Sequence, residues 1–519
     1  MSTSANEFIL DLKNVIRNPD PNDLRGFVGD MPNAQKTEFG NYNVKVKVKA
    51  RSKASTYIVT DTPDNHTDQT MSRNAAESMA KVQNDYIRTQ EMIVVDGFIG
   101  DDPLTRTACR LTIERRNANI AAMQQQLYFT PSAQEFSTFV PELNVIYTPN
   151  LPAKGYPNDR LISVDLENNT TRVFNSDYFG ESKKGGLRMW NKLIYDRGGL
   201  PLHAGCKVVP SPNGNKTLLI VGLSGTGKTT TTFTCQNESM PVQDDFVALM
   251  PNGGVLGTED GCFAKTFGLD PTSEPLIYQA VTQPETYLEN VSVDENGKVY
   301  FNDQSHTQNG RATFPFRLIP NAANPRELQP VSSILILNRN DNIVPALARL
   351  NKGQGAAYFM LGESQGTSAG GKEEAGKALR VPGTNPFFPL LHGLQGNRFL
   401  ELSNKIDMEV FLLNTGWVGG GTSKDFLKKV KIHHSSTLVK AIVDDSIEWS
   451  QCRTFGYQVP KTVPGFINED NVLLQPLKLY EETNRRDEFN QLAHSLKTGR
   501  VEHLDAYPNL DPALISAIA

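Results

Sequence analysis

The strongest signal in this chain is the stretch Thr217–Phe233, which reads TLLIVGLSGTGKTTTTF. An apolar run leads into a glycine-rich turn, a lysine follows, and threonine occupies five of the next six positions. Gly222–Thr229 satisfies the pattern GxxxxGK[ST] between a predicted strand and a predicted helix, which is the context that this motif requires. Backbone N–H groups of such a loop point at phosphate oxygens. The stretch therefore predicts a site for the phosphates of a nucleotide.

Two groups of side chains near this loop are candidates for binding phosphate and metal. Lys228 can reach the terminal phosphates, and the Thr229 hydroxyl can bind a magnesium ion. Asp244 and Asp245 follow about 16 residues after Lys228 and are either solvated turn residues or the acidic partner of the loop. The closeness of the loop favours the second interpretation. The predicted nucleotide-binding residues of the loop are Gly222, Leu223, Ser224, Gly225, Thr226, Gly227, Lys228, Thr229 and Thr230.

Length and composition exclude several other classes of protein. The chain has 519 residues, of which 38% are hydrophobic and 21% charged, so we expect a soluble globular protein of two domains. Its net charge of −5 argues against nucleic acid and anionic membranes as partners. No apolar run approaches the roughly 18 residues of a membrane span, and the N-terminus lacks a basic start followed by an apolar block. We expect neither nucleic acid nor a membrane as a partner, and we expect a monomer or small homo-oligomer.

Cysteine usage indicates the compartment. The five cysteines are scattered and none has CxxC spacing, so neither a zinc ribbon nor a disulfide framework is predicted. Disulfides are rare in a reducing environment. A cytoplasmic location is the simplest expectation.

Runs of apolar residues predict the strands. Met92–Gly100 and Leu143–Pro149 are short and β-branched, and each is bounded by glycine or proline. Beyond the phosphate loop, Val331–Asn338 and Asp407–Trp417 have the same character. The stretch RNANIAAMQQQLYF, between the first two strands, has the composition of a helix.

Glycine and proline mark the predicted divisions of the chain. They break the pattern at Asp196–Gly205, which predicts an N-terminal substrate-side α/β domain over 1–198 and a nucleotide-binding catalytic domain over 199–519. Leu361–Pro386 is long, glycine-rich and charged. It is either a disordered surface loop or a mobile lid, as loops of this length often are in nucleotide enzymes.

The segment YFGESKKGGLRMWNKLIYDRGGLPLHAG, upstream of the loop, adds possible metal ligands. Alone, Lys183 and Lys184 would be part of a solvated face, and His203 would be a core or surface histidine. Together with the two aspartates they could hold a second divalent ion. Lysine is an unusual ligand because it must first lose its proton.

These residues resemble motifs of the ATP-dependent phosphoenolpyruvate carboxykinase family, in the same order from about Arg51 to about Ile442. The similar segments are ARSKASTYIV, YFGESKKG, GLSGTGKTT, the aspartate pair, EDGCFAKT, TQNGR, IVPALARL and LLNTGW. The resemblance implies an α/β fold of two lobes, an N-terminal α/β domain and a P-loop-containing mononucleotide-binding domain, with the active site in the cleft between them. It implies oxaloacetate or phosphoenolpyruvate, carbon dioxide and a nucleotide as partners.

The resemblance also implies a role for each matching residue. Lys184, His203 and Asp245 would hold a manganese ion, Asp244 would order its surroundings, and Thr229 would hold the magnesium of ATP. The residues around oxaloacetate or its enolate would be Arg51, Tyr178, Lys183, Ser224 and Arg311. The residues that neutralise the transferring phosphoryl group would be Lys228, Lys265 and Arg311. Such a site needs fixed positive charge more than acid–base chemistry, because decarboxylation leaves an enolate oxyanion.

The chain departs from the family in three segments. Arg51–Tyr57 lacks the usual proline and much of the charge, and Thr367–Gly376 replaces the usual lid sequence. On the adenine side, Lys429 aligns near an arginine and Ser435 near a threonine of the family. Two alternatives therefore stay open: a related P-loop kinase of another small anionic substrate, and a non-enzymatic nucleotide-sensing homologue.

Overall fold

The computed structural model describes residues 5–66, 69–223, 226–234, 236–365, 378–421 and 425–519. The helices are α1 (Ala5–Leu10), α2 (Pro21–Gly29), α3 (Arg73–Ile87), α4 (Ala118–Leu127), α5 (Ala133–Ser137), α6 (Phe179–Asp196), α7 (Lys228–Phe233), α8 (Pro275–Val281), α9 (Lys352–Leu361), α10 (Gly393–Lys405), α11 (Ile432–Val443), α12 (Pro476–Glu482), α13 (Arg486–Asp505) and α14 (Pro512–Ser516).

The strands begin with β1 (Val15–Arg17), β2 (Ala34–Lys36), β3 (Tyr42–Val44), β4 (Thr56–Val59), β5 (Thr70–Met71), β6 (Met92–Ile99), β7 (Thr107–Glu114), β8 (Leu143–Thr148), β9 (Leu161–Asp165), β10 (Thr170–Phe174), β11 (Leu200–Leu202), β12 (Ala204–Val209), β13 (Lys216–Val221), β14 (Met240–Gln243) and β15 (Val247–Leu249). They continue with β16 (Val255–Gly257), β17 (Gly261–Lys265), β18 (Tyr287–Glu289), β19 (Ser292–Val293), β20 (Val299–Tyr300), β21 (Arg311–Pro315), β22 (Val331–Asn338), β23 (Leu347–Leu350), β24 (Glu363–Gln365), β25 (Ala378–Arg380), β26 (Glu409–Asn414), β27 (Trp417–Val418), β28 (Lys428–Lys429), β29 (Glu448–Gln451) and β30 (Gln458–Thr462).

The chain forms two compact units that exchange segments. Unit 1 contains residues 1–197, 258–320 and 387–390, and unit 2 contains residues 198–257, 321–386 and 391–519. The division predicted from the sequence, 1–198 and 199–519, treated each domain as continuous, and the structure differs in residues 258–320 and 387–390. For residues 258–320 the physical reason is sheet pairing, because β17, β18 and β21 join β2 and β3 in one sheet.

Unit 1 is built on two sheets. The first has the strand order β1-β6-β7-β8-β10-β9-β4-β5, and the second has the order β17-β21-β18-β3-β2. Helix α6 packs on the first sheet so closely that a Cβ atom at Gly185 would lie 3.2 Å from the Thr171 side chain and 3.3 Å from that of Val145. This contact buries the N-terminal half of α6, which carries the Lys183–Lys184 pair, inside the unit.

Unit 2 is built on a sheet with the order β14-β12-β13-β22-β26-β23-β30-β29, in which β13, β22 and β26 run parallel. Alternate residues of these three strands enter two different hydrophobic clusters: Leu219 and Ile334 belong to one, Leu218 and Leu335 to the other. Both faces of the sheet are therefore covered, which explains why the strands are almost continuously apolar.

The strand predictions are confirmed where apolar runs are long. Strands β6, β8, β22 and β26 lie within the predicted stretches, β22 has the predicted bounds Val331–Asn338, and β13 begins at Lys216, one residue before the predicted stretch. Around the predicted lid, β24 and β25 pair in an antiparallel hairpin. The intervening residues 366–377 lie outside the described part of the chain. No helix in the described ranges has the length and hydropathy that crossing a membrane requires.

Candidate active site

The phosphate loop connects β13 to α7 in unit 2. A Cβ atom at Gly222 would lie 2.5 Å from Thr226 Oγ1 and 3.0 Å from Leu337 Cβ, so only glycine fits there. Gly227 has φ 93°, a left-handed conformation that glycine adopts without strain. Thr226 is held by a hydrogen bond from its hydroxyl to Leu223 O at 2.7 Å. The residues before and after Ser224 and Gly225 are thus closely packed. Ser224 and Gly225 themselves lie outside the described residues.

Four predicted site residues of unit 2 lie together at the start of α7. The Lys228 ammonium donates to Asp245 Oδ1 at 3.1 Å and to the Asp245 carbonyl at 3.3 Å. The Thr229 hydroxyl lies 3.4 Å from Asp244 Oδ2. These contacts bring the lysine, a hydroxyl and two carboxylates to one place. A bound phosphate would compete with Asp245 for the Lys228 ammonium.

His203 joins this group with a geometry that suits a metal ligand. Its Nδ1 lies 3.0 Å from the Thr384 carbonyl, which can only accept, so Nδ1 carries a proton. Nε2 then directs its lone pair at Asp245 Oδ1, 3.0 Å away, when the ring is neutral. Two acceptors at this distance repel each other unless the ring is protonated or a cation lies between them. Metal-binding histidines commonly donate their second nitrogen to a carbonyl in this way, so His203 and Asp245 fit a divalent ion.

In unit 1, Phe263 lies beneath the predicted substrate residues. The Lys183 ammonium lies 5.7 Å from the centre of its ring, and the Arg311 guanidinium lies 5.2 Å from it. Lys183 also forms a buried salt bridge of 2.9 Å with Glu259. Cations above an aromatic face are stabilised by the ring quadrupole. These two cations are therefore fixed by one aromatic ring, and one of them also by a carboxylate.

Tyr178 and Arg311 share a partner in Asn309. The Asn309 amide lies 3.4 Å from the Tyr178 hydroxyl, and its carbonyl accepts from Arg311 Nη2 at 2.8 Å. Arg311 lies opposite Lys265 in the β17–β21 ladder. Burial, followed by the charge of Arg311, lowers the pKa of Lys265. Burial raises the pKa of Tyr178, although the charge of Arg311 opposes that shift.

A second aromatic ring in unit 1, Phe387, lies close to two further predicted site cations and to Arg188. Its ring centre lies 4.5 Å from Lys184 Nζ, 5.5 Å from the Arg188 guanidinium and 5.7 Å from that of Arg51. The backbone next to Arg51 is tied to α6, because Ser52 N–H donates to the buried Glu181 carboxylate at 2.6 Å. The structure thereby brings Arg51 and Lys184 to the same aromatic group.

Sequence reasoning missed Glu259, Phe263, Asn309 and Phe387. The first three lie within segments already singled out, EDGCFAKT and TQNGR. Their roles could have been suspected, because a lysine in a buried helix needs a carboxylate partner. Phe387 carried no such signal, since it follows the glycine-rich segment and looks like an ordinary core residue.

The adenine-side residues lie on other elements of unit 2. Lys429 pairs with Trp417 in the β27–β28 ladder, and its ammonium lies 4.9 Å from the centre of the indole. Burial and the charge of Arg339 lower the pKa of Lys429. Ser435 lies in the first turn of α11, and Thr230 lies in α7. No described contact joins Lys429 or Ser435 to the phosphate loop.

Another possible ligand cluster in unit 2 is better explained as a helix cap. His433, His434 and Asp470 offer atoms within 4.8 Å of one another. Lys431 N–H donates to His434 Nδ1 at 3.0 Å, so the neutral ring carries its proton on Nε2, which faces Asp470 Oδ2 at 3.2 Å. Burial and the neighbouring His433 lower the pKa of His434, which favours this neutral form. A metal ligand would need Nε2 without its proton, so this set does not fit an ion.

The class of protein is now defined: a mixed α/β chain in which a strand leads through a glycine-rich turn to a helix that begins at a lysine, close to two aspartates and a histidine. The sequence model of the family described as phosphoenolpyruvate carboxykinase, ATP type, matches residues 13–469. The chain belongs to this family.

Curated relatives support the assignment over most of the chain. Phosphoenolpyruvate carboxykinase (ATP) of Bradyrhizobium diazoefficiens is 30% identical over 436 residues, 81% of this chain and 78% of the relative. A protein of that name from Moorella thermoacetica is 29% identical over 87% of this chain and 86% of its own length. One from Caldanaerobacter subterraneus is 28% identical over 92% of both chains. These findings support ATP-dependent carboxykinase activity and do not favour another kinase or a non-enzymatic sensor.

Proposed function

We propose that this protein converts oxaloacetate and ATP to phosphoenolpyruvate, carbon dioxide and ADP, and that its named side chains have the roles expected from the family. The single observation that carries the proposal is the geometry around Asp245, with Lys228 at 3.1 Å and His203 at 3.0 Å from one carboxylate oxygen. A loop lysine that reaches both phosphate and metal ligands suits phosphoryl transfer.

The residues of unit 1 suit the first half of the reaction. The bond between the methylene carbon and the departing carboxylate carbon breaks, and its electron pair forms a double bond to the carbonyl carbon. The carbonyl π pair moves to the oxygen, which gives the enolate, and carbon dioxide leaves. Arg51, Tyr178, Lys183 and Arg311 supply donors and positive charge for the substrate carboxylate and this oxygen. A guanidinium pairs with a carboxylate through two parallel hydrogen bonds. No proton transfer is needed, which agrees with a site rich in cations.

The second half is assigned to residues of unit 2 together with Lys184, Lys265 and Arg311 of unit 1. The enolate oxygen attacks the γ-phosphorus, the bond to the β–γ bridging oxygen breaks, and ADP leaves. Lys228 neutralises charge on the transferring group together with Lys265 and Arg311. Thr229, Asp244, Asp245, His203 and Lys184 are the residues that would hold divalent ions, which supply Lewis acidity for phosphate and enolate oxygens when bound. We propose magnesium with the nucleotide and manganese at the histidine-containing set.

The decisive assay measures oxaloacetate-dependent release of carbon dioxide together with formation of phosphoenolpyruvate and ADP in equal amounts. It uses ATP with magnesium alone and with added manganese, and a control without nucleotide. Asp245→Asn serves as the inactive variant. ATP consumption without carbon dioxide release would contradict the proposal and indicate a kinase of another acid.

A first prediction concerns the manganese site. Manganese is expected to activate the wild-type protein far below the magnesium concentration needed, because imidazole favours first-row transition ions and magnesium prefers oxygen ligands. His203→Ala should lose this activation before it loses nucleotide binding. Activity is titrated with manganese at fixed magnesium, and ATP binding is measured by calorimetry. His494→Ala, an exposed histidine of the same unit, is the control. Superimposed titrations of wild type and His203→Ala would refute the site.

A second prediction concerns the nucleotide base. Lysine lacks the planar group with which arginine stacks on a purine, and the Lys429 ammonium already lies over Trp417. We expect the ratio of kcat/KM for ATP over GTP and ITP to stay below about a hundredfold, and Lys429→Arg to raise it. Measuring kcat/KM for the three nucleotides in both proteins decides this. A hundredfold preference in the wild type would assign base recognition to other residues.

A further inference from the structure

A row of charged residues crosses three strands of the second sheet of unit 1. In the ladder β17–β21–β18, Lys265 lies opposite Arg311 and Arg311 lies opposite Glu289. Residues directly opposite each other on neighbouring strands project from the same face. Glu289 therefore shares a face of the sheet with Lys265 and Arg311, the two cations that the proposed function assigns to the substrate and the phosphoryl group. The proposed function gives Glu289 no role.

Glu289 is fully buried and touches the start of the helix that bears the substrate lysines. Its Oε1 accepts the backbone N–H of Phe179, the first residue of α6, at 2.9 Å. Phe179 directly follows Tyr178, so this hydrogen bond fixes the backbone beside a predicted substrate residue. Glu289 Oε2 and Arg311 Nε are both buried and have no hydrogen-bond partner among the described residues.

Burial favours the neutral form of Glu289. Burial raises the pKa of Glu289 to about 8, and the charge of Asp177 acts in the same direction, against the Phe179 N–H and Arg311. Asp177 is itself fixed, because it accepts backbone N–H groups of Lys47 and Val48 at 2.9 Å. The titratable and charged groups that interact with this cluster are Asp177, Glu181, Tyr147, Tyr178 and Arg311.

We propose that Glu289 is a positioning residue that works in its neutral form, holding the first turn of α6 beside Tyr178 while leaving the charge of Arg311 to the substrate anion. The inference rests on the proposed function. A negative Glu289 would instead neutralise Arg311 across the strand pair and weaken binding of an anionic substrate. The neutral carboxyl keeps its acceptor oxygen for Phe179 N–H, so positioning does not require the charge.

The first test separates positioning from charge. Glu289→Gln keeps an acceptor oxygen and is always neutral, so it should hold kcat at pH 7 within about threefold of wild type. Glu289→Ala removes the acceptor for Phe179 N–H and should lower kcat/KM for oxaloacetate at every pH. Above pH about 8 the wild-type KM for oxaloacetate should rise more steeply than that of Glu289→Gln. Burial and the charge of Arg311 lower the pKa of Lys265, but this residue is common to both proteins, so the difference between them reports Glu289.

The second test does not depend on catalysis. The pKa of Glu289 is higher in the folded chain than in the unfolded chain. Its contribution to the free energy of unfolding is therefore complete at pH values below the ordinary pKa of a glutamate, and it is lost as the pH rises to about 8. The Tm of Glu289→Gln relative to wild type should therefore increase from pH 5 to pH 8.5. The control is Glu285→Gln, whose surface carboxylate pairs with Arg317 in the same unit, and whose Tm difference should stay constant.

The two readouts distinguish the ways in which the inference could fail. A Tm difference that does not change with pH, or a Glu289→Gln variant as inactive as Glu289→Ala at pH 7, would overturn it. If the chain catalysed no carboxykinase reaction, the proposed function would fail, while the pH dependence of Tm would still decide whether Glu289 is neutral in the folded protein.

Discussion

Lys228→Ala is expected to lower kcat by roughly a thousandfold or more, because preorganised positive charge at the transferring phosphoryl group contributes several kcal/mol to the transition state. Lys228 lies at the first position of α7, only 7% exposed, with its ammonium 3.1 Å from Asp245. A phosphate bound at the loop would therefore compete with Asp245 for the Lys228 ammonium. Steady-state kinetics with saturating ATP and oxaloacetate measures the loss.

The fold should survive this substitution. Alanine is an excellent helix former at the start of α7, and the strands around the loop do not depend on the ammonium. The thermal unfolding temperature and far-ultraviolet circular dichroism should remain close to those of the wild type. Lys216→Ala, at the other end of the preceding strand β13, is the matched control and should keep wild-type kcat. Near-native turnover of Lys228→Ala would mean that the loop does not bind the transferred phosphate.

Local composition predicted the elements that bury continuous apolar runs. Strand β22 occurs at Val331–Asn338 as predicted, because a parallel strand covered on both faces is nearly continuous in apolar residues. The hairpin of β24 and β25 was not predicted. Its strands flank a glycine-rich polar segment, and their pairing is supported by Glu363, which binds Arg380 and the distant Arg500. An interaction 137 residues apart along the chain leaves no local pattern.

Site residues were predicted where a motif names them, and their supporting partners were not. The Lys183–Glu259 salt bridge joins residues of α6 to the segment before β17, and nothing in the spacing of the two identifies the pair. The return of residues 258–320 to unit 1 was missed for the same reason, because strand pairing with β3 is a long-range event. Local sequence indicates which residues are candidates for the chemistry, whereas the sheets determine which of them become neighbours.

Arg311→Ala is expected to reduce kcat by roughly a hundredfold to a thousandfold, the range found when one preorganised donor to a developing oxyanion is removed. Arg51→Ala should act mainly through KM for oxaloacetate. The two arginines differ in their surroundings: Arg311 lies in a strand beside Lys265 and over Phe263, whereas Arg51 lies outside the sheets, over Phe387. We propose that Arg311 serves both the substrate and the phosphoryl group, whereas Arg51 binds a substrate carboxylate.

Kinetic constants for oxaloacetate and ATP in both variants test this difference. Arg317→Ala is the control, because its guanidinium is exposed in the same unit and pairs with Glu285 at the surface. A dual role requires Arg311→Ala to lower kcat even when both substrates saturate, since saturation restores binding but not transition-state charge. If both variants only raised KM by similar factors, Arg311 would contribute to substrate binding alone. The row of Lys265, Arg311 and Glu289 would then serve recognition of the acid rather than phosphoryl transfer.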